Sequence, residues 1–577
     1  MLSYSKLLGG DLFDSGSKIA VDDAGNTYLL SRSFSPSNTE TNGIDMDCSQ
    51  DCQSNVVVSK FSGDGSSLIW TVVLSGSGDE DGRSILVDQE GHAYIAGWTN
   101  SEDFPLIHAV DKSFDGLSEG FLTKIAADGT DLVFSSYVGN EDSEIITDLA
   151  LDQDKNIYVA GRSSAPDYSE TANNIGRQQI STNGFVRKFR ADGKKQLYFR
   201  KLGGSDYDSI DAITVNRAGE VFAAGTTNSW DFPLESPLYG TIGGVGDAFV
   251  SRLSADGKTL LFSTYFGGQR AESAKAIALD SSGDLIIAGT TTSDDLPVMQ
   301  AFDEKANGGP QDWDCFVSKI NHDGSRLLYS SYLGGSKNDY LTSLYVDRDD
   351  AIYLGGYTLS DDFPLENPIS AIIKGRSDLF ISKLPADGSK LLYSTYFGGS
   401  GEESFADITA DRAGSTYLTG LTYSDDLPVA NTANLRTDVN QSAGDVFVSK
   451  LTNLINYTVP NNQWQVISLP YMPPDGATVE DIFADDFGYA YKKNWYIYQY
   501  NSETDLYSLL DFSDPLEQGT AYWILQNTGK PVSVDMPEGS YASAQQDPAS
   551  CPDGKSCYTL PLKPAIAENR YHFLGNP

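Results

Sequence analysis

A block that opens on a Leu/Phe-Gly-Gly step, or a degenerate form of it, returns at Gly9, Ser75, Gly139, Gly203, Gly267, Gly334 and Gly398, about every 64 residues. Ser75 replaces the first Gly of one copy and Asn140 the second Gly of another. A unit of this size cannot bury its own apolar faces and must stack on its neighbours, so the period demands a repeat architecture. The clearest copy runs Tyr265-Phe-Gly-Gly, Ala276-Ile-Ala-Leu-Asp280, Leu285-Ile-Ile-Ala-Gly289, Asp314-Cys-Phe-Val-Ser-Lys-Ile320 and Leu327-Leu-Tyr-Ser-Ser-Tyr-Leu333. Period-two alternation and β-branched or aromatic enrichment make this four short strands per unit, A to D from the inside outwards.

Two kinds of tight turn separate the strands. Between A and B the pattern is Asp-x-x-Gly-x-x-Tyr, as in Asp22, Gly25, Tyr28 and in Asp411, Gly414, Tyr417. Between C and D it is Ala-Asp-Gly, as at Ala127-Asp128-Gly129 and Ala386-Asp387-Gly388. Asp bonds to turn backbone and Gly accepts positive φ, so both are hairpins. Four antiparallel strands repeated radially make a β-propeller blade. The seventh unit has its C strand, Asp445-Val-Phe-Val-Ser-Lys-Leu451, but no D strand after it, whereas Leu2-Ser-Tyr-Ser-Lys-Leu-Leu-Gly-Gly10 matches a D strand with no blade of its own. The expected fold is therefore all-β: a seven-bladed β-propeller of four-stranded blades over residues 1–452, with residues 1–8 completing the last blade and leaving no open edge.

Assembled from several copies, the order Tyr332-Leu-Gly-Gly-Ser336, an acidic cluster, Ile19-Ala-Val-Asp22, Asn156-Ile-Tyr-Val-Ala-Gly161, Ser101-Glu-Asp-Phe-Pro105 and Asp247-Ala-Phe-Val-Ser-Arg-Leu253 resembles the bacterial SBBP-type β-propeller repeat family. The resemblance covers residues 1 to about 452 and implies a secreted or surface-exposed propeller, usually without an assigned reaction. It hands over no catalytic residues. Blades 1 and 3 carry Ser35-Pro36 and Ala165-Pro166 where others carry Asp103-Phe-Pro105, Asp231-Phe-Pro233 or Asp426-Leu-Pro428, so their upper loops are expected to differ.

Charge narrows the partners. With 40 Lys plus Arg against 80 Asp plus Glu, the net charge of −40 argues against nucleic acid and anionic lipid, since phosphate binding needs clustered cations. No run of eighteen apolar residues is present, so no membrane span is expected. The chain begins directly in a strand, and we expect it to be a processed or incomplete piece of an extracellular or cell-surface protein. Cys48 with Cys52 and Cys551 with Cys557 are close pairs in loop-like stretches, which local disulfides in an oxidising compartment explain; a four-cysteine zinc site is the competing reading. Cys315 stands alone in a C strand, where a small buried residue is needed.

Chemistry belongs on one face. The A-to-B and C-to-D hairpins are short, whereas the D-to-A and B-to-C connections emerge on the opposite side and the B-to-C loops are long, as from Asp231 through Tyr239 and Gly244 to Asp247. On that upper face every copy carries a carboxylate five residues after its first Gly position: Asp14, Glu80, Glu144, Asp208, Glu272, Asp339 and Glu403. Such a ring at the mouth of the central channel would attract a cationic group or Ca²⁺, the one cofactor the sequence suggests. Equally, each acid would hold backbone N–H groups of its own Gly-Gly turn and recur because the repeat needs it. Asp152-Gln-Asp-Lys-Asn156 opens like a calcium loop but lacks the Gly and Glu such a loop requires, and reads as an A-to-B turn.

The inventory for catalysis is thin. His92, His108, His322 and His572 are the only histidines, and nothing converges on them in a nucleophile arrangement. Beyond Asn456 the aromatic stretches Trp464-Gln-Val-Ile-Ser-Leu-Pro470, Tyr489-Ala-Tyr491, Trp495-Tyr-Ile-Tyr498 and Ala521-Tyr-Trp-Ile-Leu525 read as a small all-β domain over 453–577, similar to C-terminal modules of secreted bacterial proteins. The Trp464 motif returns as Tyr571-His-Phe-Leu-Gly-Asn-Pro577 and stops, so a continuation past Pro577 is expected. The function expected is a non-catalytic secreted or surface scaffold that binds a protein or glycan on the upper face. A polysaccharide-acting enzyme using carboxylates there, or a calcium-stabilised structural protein, are the alternatives.

Overall fold

Four-residue turns between period-two strands fold locally into hairpins, and seven such units close into a ring in the computed structural model. It describes residues 2–9, 12–34, 54–139, 143–166, 180–411, 414–428, 435–436 and 444–451, and beyond these the segments 457–459, 464–468, 471–472, 495–501, 506–510, 513, 521–526, 532–534 and 541–542. Among the described residues every regular element is a strand. Blade 5 is representative: A is Glu272–Leu279, B Leu285–Thr291, C Asp314–Ile320 and D Leu327–Leu333, each antiparallel to the next.

Six blades run A to D in chain order. The seventh takes A from Glu403–Ala410, B from Thr416–Thr422, C from Asp445–Leu451, and its D strand from Leu2–Gly9 at the start of the chain. Ser5 faces Ser449 and Leu7 faces Phe447 across that seam, and the Ser5 and Ser449 hydroxyls bond at 2.7 Å. A short strand, Leu435–Arg436, adds in parallel to the outer edge. The expected closure by the N-terminal strand is thus what the structure shows.

The core lies between blades. Phe222 and Phe262 of blade 4 share one apolar cluster with Ile287 and Phe316 of blade 5, all buried. The Gly of each C-to-D turn has a second use besides its turn geometry. Gly129, at φ 74°, sits against the Trp70 ring of the preceding blade, where a Cβ would collide with the indole. On the same lower side, the Tyr94 ring lies under the Lys124 ammonium at 4.5 Å while its hydroxyl donates to Asp88 at 3.2 Å. Tyr158, Lys188 and Asp152 repeat the arrangement, as do Tyr353, Lys383 and Asp347. The hairpin Asp is therefore a packing device, and Asp152 is one of these: it accepts the N–H groups of Asp154 and Asn156 at 3.0 and 2.8 Å.

Every A strand carries a bulge, for example between Gly16 and Lys18, Ile146 and Asp148, and Ser404 and Asp407. Simple alternation does not foresee this. The bulge turns the lower half of each innermost strand so that Lys18, Asp148 and Asp407 line the central channel.

In blade 3 the B and C strands run on to Ile157–Pro166 and Ile180–Phe189, so Ala165-Pro166 continues a strand where other blades turn into their Asp-Phe-Pro loop. Ser35-Pro36 of blade 1 lies outside the described residues. The chain divides into two compact units after Leu451. In the second, Trp464–Ser468, Ala521–Gln526, Trp495–Asn501 and Leu506–Leu509 form a four-stranded antiparallel sheet in that spatial order, and Tyr457–Val459 pairs with Val532–Val534. The Tyr489-Ala-Tyr491 stretch lies outside the described residues.

Candidate binding face

The seven acids Asp14, Glu80, Glu144, Asp208, Glu272, Asp339 and Glu403 stand at the upper start of the A strands and are at most 3% exposed. In Glu80, Asp208, Glu272, Asp339 and Glu403 the oxygens are taken up within the blade. The Gly335 N–H donates to Asp339 Oδ2 at 2.7 Å, the Ser360 hydroxyl to the same oxygen at 3.1 Å, and the Thr358 hydroxyl to Oδ1. Glu403 receives Gly399 N–H at 3.1 Å, Thr422 at 2.7 Å and Ser424 at 2.5 Å; Asp208 receives Gly204 N–H, Thr227 and Ser229. A cation bound by this ring would have to displace those donors.

The backbone of six of the seven acids, all but Asp208, ties its blade to the previous one. The N–H of Glu272 donates to Gly246 O at 3.0 Å, that of Glu403 to Ser377 O at 2.9 Å, and that of Glu80 to Ser54 O at 2.9 Å. Directly after those carbonyls come the first C-strand residues: Asn55, Glu119, Asp247, Asp314, Asp378 and Asp445. Five of these are acids, so five joints place two carboxyl groups side by side. A Cβ on Gly267, Gly334 or Gly398 would collide with both members of the pair, which is why these three positions are Gly.

Two negative charges cannot be held there cheaply. Burial, with the neighbouring Glu144 charge added, pushes Glu119 up to about 7. Burial, with Asp314 close by, pushes Asp339 up to about 7, and burial raises Asp247 and Asp314 to about 6. Burial and the adjacent acid thus favour the protonated form of these carboxyls. Blades 1 and 3 carry amides instead, Asn55 and Asn183, and the Gly203 Cβ position is flanked by Asn183 and Asp208 just as Gly334 is flanked by Asp314 and Asp339. An amide is the permanent mimic of a protonated carboxyl. Sequence reasoning misses this second ring, although its signal is visible as the acid that opens the C strand in five of the seven blades.

The upper loops are anchored by the Asp-Phe-Pro motif. Asp103, Asp231, Asp362 and Asp426 each accept the N–H of the residue after the Gly-Gly step, at 2.6 to 2.9 Å. Phe232 packs on Phe249 with ring centroids 4.4 Å apart, and Phe363 on Phe380 at 4.5 Å. Residues that repeat are thus spent on building the wheel.

Function has to be sought where the blades differ. The channel wall is one such place. Asp407 accepts Ile19 N–H of blade 1 at 2.8 Å and the Ser343 hydroxyl of blade 6 at 2.7 Å, and pairs with Lys18 at 3.1 Å. Asp148 does the same across blades 2 to 4, through Ser84 at 2.8 Å and Ile213 N–H at 2.9 Å. Burial works to lower Lys18, but Asp407 and Asp148 outweigh it and hold the ammonium above the ordinary lysine value. These polar cross-links leave a cavity of about 180 Å³ in the channel.

A larger cleft, about 400 Å³, opens over blades 3 to 5 at the upper mouth. Arg162 comes from the top of a B strand, Tyr207 from a D-to-A turn, Asp211 and Lys275 from A strands, and Trp313 from a B-to-C loop. Of these, only the Arg recurs at its position, as Arg32 of blade 1; Tyr207, Asp211, Lys275 and Trp313 have no identical counterpart in another blade. Lys275 pairs with Asp211 at 2.9 Å, and the Arg162 guanidinium reaches the Tyr207 hydroxyl at 3.5 Å.

The other residues singled out by sequence are placed as follows. Cys315 is fully buried and free, and burial raises its thiol well above the usual value. Cys48, Cys52, Cys551, Cys557 and His572 lie outside the described residues. His108 sits on an upper loop at φ 51°, and His92 belongs to a lower-face hairpin, where it approaches Asp88 and Glu90. Lys124 and Lys155 already stand within 3.7 Å of that Asp88 carboxylate, which occupies the cluster with ammonium groups. Among the described residues no helix is long and apolar enough to cross a membrane.

The closed ring, the crossed-over first strand and the seven equivalent joints define a β-propeller built from repeats. The chain carries the SBBP repeat, described as a beta-propeller repeat, with matches at residues 69–105 and 328–364. Each match starts in a D strand and ends in the Asp-Phe-Pro loop of the next blade, so the sequence unit straddles a joint. The regulatory protein FlaEY of Caulobacter vibrioides is 23% identical over 314 residues, which is 50% of this chain and 31% of the relative. The chain thus spans about a third of that relative's length. Among solved structures, a Dyadobacter fermentans protein of unknown function overlaps at TM-score 0.36 and 9% identity, over 78% of this chain and 99% of the other. BamB of Moraxella catarrhalis overlaps at TM-score 0.35 and 11% identity, again over 78% and 99%. Overlaps at this level carry no functional inference.

Proposed function

We propose that this propeller is a non-catalytic interaction scaffold of the cell surface or extracellular space, binding a protein or glycan through its upper loop face. One observation carries the reading: the residues that recur from blade to blade are consumed by internal hydrogen bonds, whereas the cleft over blades 3 to 5 combines Arg162, Tyr207, Asn228, Lys275 and Trp313 in a set no other blade repeats. A regular scaffold that places non-repeating aromatic and polar residues together at one concave mouth is built to present a site. The FlaEY relative, a regulatory protein by name, is compatible with a binding role. Net charge −40 keeps such a surface away from nucleic acid.

The test is a glycan array and a cross-linking capture with the full chain, repeated with Trp313→Ala and Tyr207→Ala. We expect a ligand whose binding is lost in both variants while the melting temperature holds. Binding that survives both, or that follows the unit beyond Leu451 alone, would refute the reading.

A further inference from the structure

From the open guanidinium of Arg162 we infer that the cleft over blades 3 to 5 takes a carboxylated saccharide, a uronic-acid-type sugar, with the carboxylate on Arg162 and the sugar against Tyr207 and Trp313. The inference rests on the proposed upper-face binding role and names the ligand class for it.

An internal comparison supplies the argument. Arg32 of blade 1 occupies the same B-strand position as Arg162 of blade 3, each facing the first residues of the next blade's A strand. Arg32 is neutralised there: it lies 3.5 Å from Asp79 and 3.8 Å from Asp81, and bonds the Ser54 hydroxyl at 2.8 Å. In front of Arg162 the two acid positions are Tyr207 and Ser209. Among the described residues Arg162 has no acidic partner, and its one hydrogen bond is the long one to the Tyr207 hydroxyl. In a chain of net charge −40, an arginine with no carboxylate partner among the described residues, at the lip of a cavity, is a seat for an anion.

The rest of the cleft suits a sugar. The planar fork of Arg162 matches a carboxylate in bidentate fashion better than Lys would. Tyr207 is 36% exposed, and with Trp313 it offers aromatic faces to the apolar side of a pyranose. The exposed Asn228 amide and the Lys275 ammonium, which is held in place by Asp211, can meet hydroxyl groups. A cavity of about 400 Å³ is of small-molecule size.

The experiment titrates the full chain calorimetrically with oligogalacturonate, with the same oligosaccharide after carboxyl reduction, and with a hexaglutamate peptide. The variants are Arg162→Ala, Arg162→Lys and Trp313→Ala, with Arg190→Ala as a control, since Arg190 pairs with Asp192 in a lower-face hairpin. We expect the uronate to bind, Arg162→Ala and Trp313→Ala each to weaken it about tenfold or more, Arg162→Lys to restore only part, and Arg190→Ala to change nothing. Equal binding of the carboxyl-reduced sugar that still depends on Trp313 would overturn the uronate inference and leave the scaffold reading standing. Binding of hexaglutamate in place of the uronate, or no uronate binding, overturns it too. Uronate binding indifferent to both Arg162 and Trp313 would remove this cleft from both readings.

Discussion

Neutralising the blade joints permanently should change how the propeller responds to pH. Glu119 and Asp314 each accept two backbone N–H groups with one carboxyl oxygen, from Asp115 and Gly116 and from Asn307 and Gly308, while the second oxygen has no hydrogen-bond partner and is buried. The amides introduced by Glu119→Gln and Asp314→Asn would keep the accepting oxygen and turn a donor toward the next acid. In the wild type, folding raises these carboxyls from near 4 to about 7 and about 6, so the folded state binds protons that the unfolded state releases. Stability from these groups is therefore fully present below about pH 4 and falls as pH rises through about 4 to 7.

A carboxyl displaced by about two pH units contributes about 3 kcal/mol, and water entering an opened joint screens roughly half of that. Two joints then give about 3 kcal/mol between mild acid and pH 8. With about 2 cal/mol/K of unfolding entropy per residue over the ring, this is a shift of about 3 °C. Calorimetric scans at about pH 4 and about pH 8 should show the Glu119→Gln, Asp314→Asn double variant matching wild type in acid and melting about 3 °C higher in mild base. If the two proteins fall in parallel, or if the wild type gains stability across that range, the raised carboxyls at the joints are wrong.

Other consequences follow from the same geometry. Gly334→Ala would drive a methyl into the Asp314 and Asp339 carboxyls and should cost about 2 kcal/mol or more, read as a lowered denaturation midpoint, whereas Gly240→Ala, with only Pro237 nearby, should cost far less. Deleting Leu2–Gly9 strips blade 7 of its D strand, and limited proteolysis should then cut first near Asp445–Leu451; resistance equal to the full chain would refute the closure. Asp407→Asn removes the counter-charge of Lys18 and should cost about 2–3 kcal/mol in urea denaturation, with Lys18→Met in the same background recovering part of it. Because five of the seven ring acids are already filled by protein donors, a calcium chelator should leave the melting temperature unchanged; a drop would establish a calcium site in the chain.

Much of the architecture is legible in one dimension. The five Gly-Gly steps with their two degenerate copies, the period-two strands and the unmatched D strand at Leu2 already specify seven blades and their seam. The ring of Asp14 to Glu403 is equally plain, because a repeat writes its structural acids at one spacing. What those acids do is not legible, since Glu119 meets Glu144 only after one blade is rotated against the next. The A-strand bulge is hidden for a related reason: it changes register without changing composition, yet it decides that Lys18, Asp148 and Asp407 face the channel.

Residue order alone determined strand content, blade number and the way the ends join, because hairpins and alternating burial are governed by neighbours a few positions away. Tertiary structure alone decided which carboxyls are raised by a neighbouring acid and which arginine faces no acid among the described residues, because charges interact across the few ångströms that blade packing sets and sequence spacing does not encode. Arg32 and Arg162 are the same letter at the same repeat position, and only the blade in front of each makes one a closed ion pair and the other a candidate site.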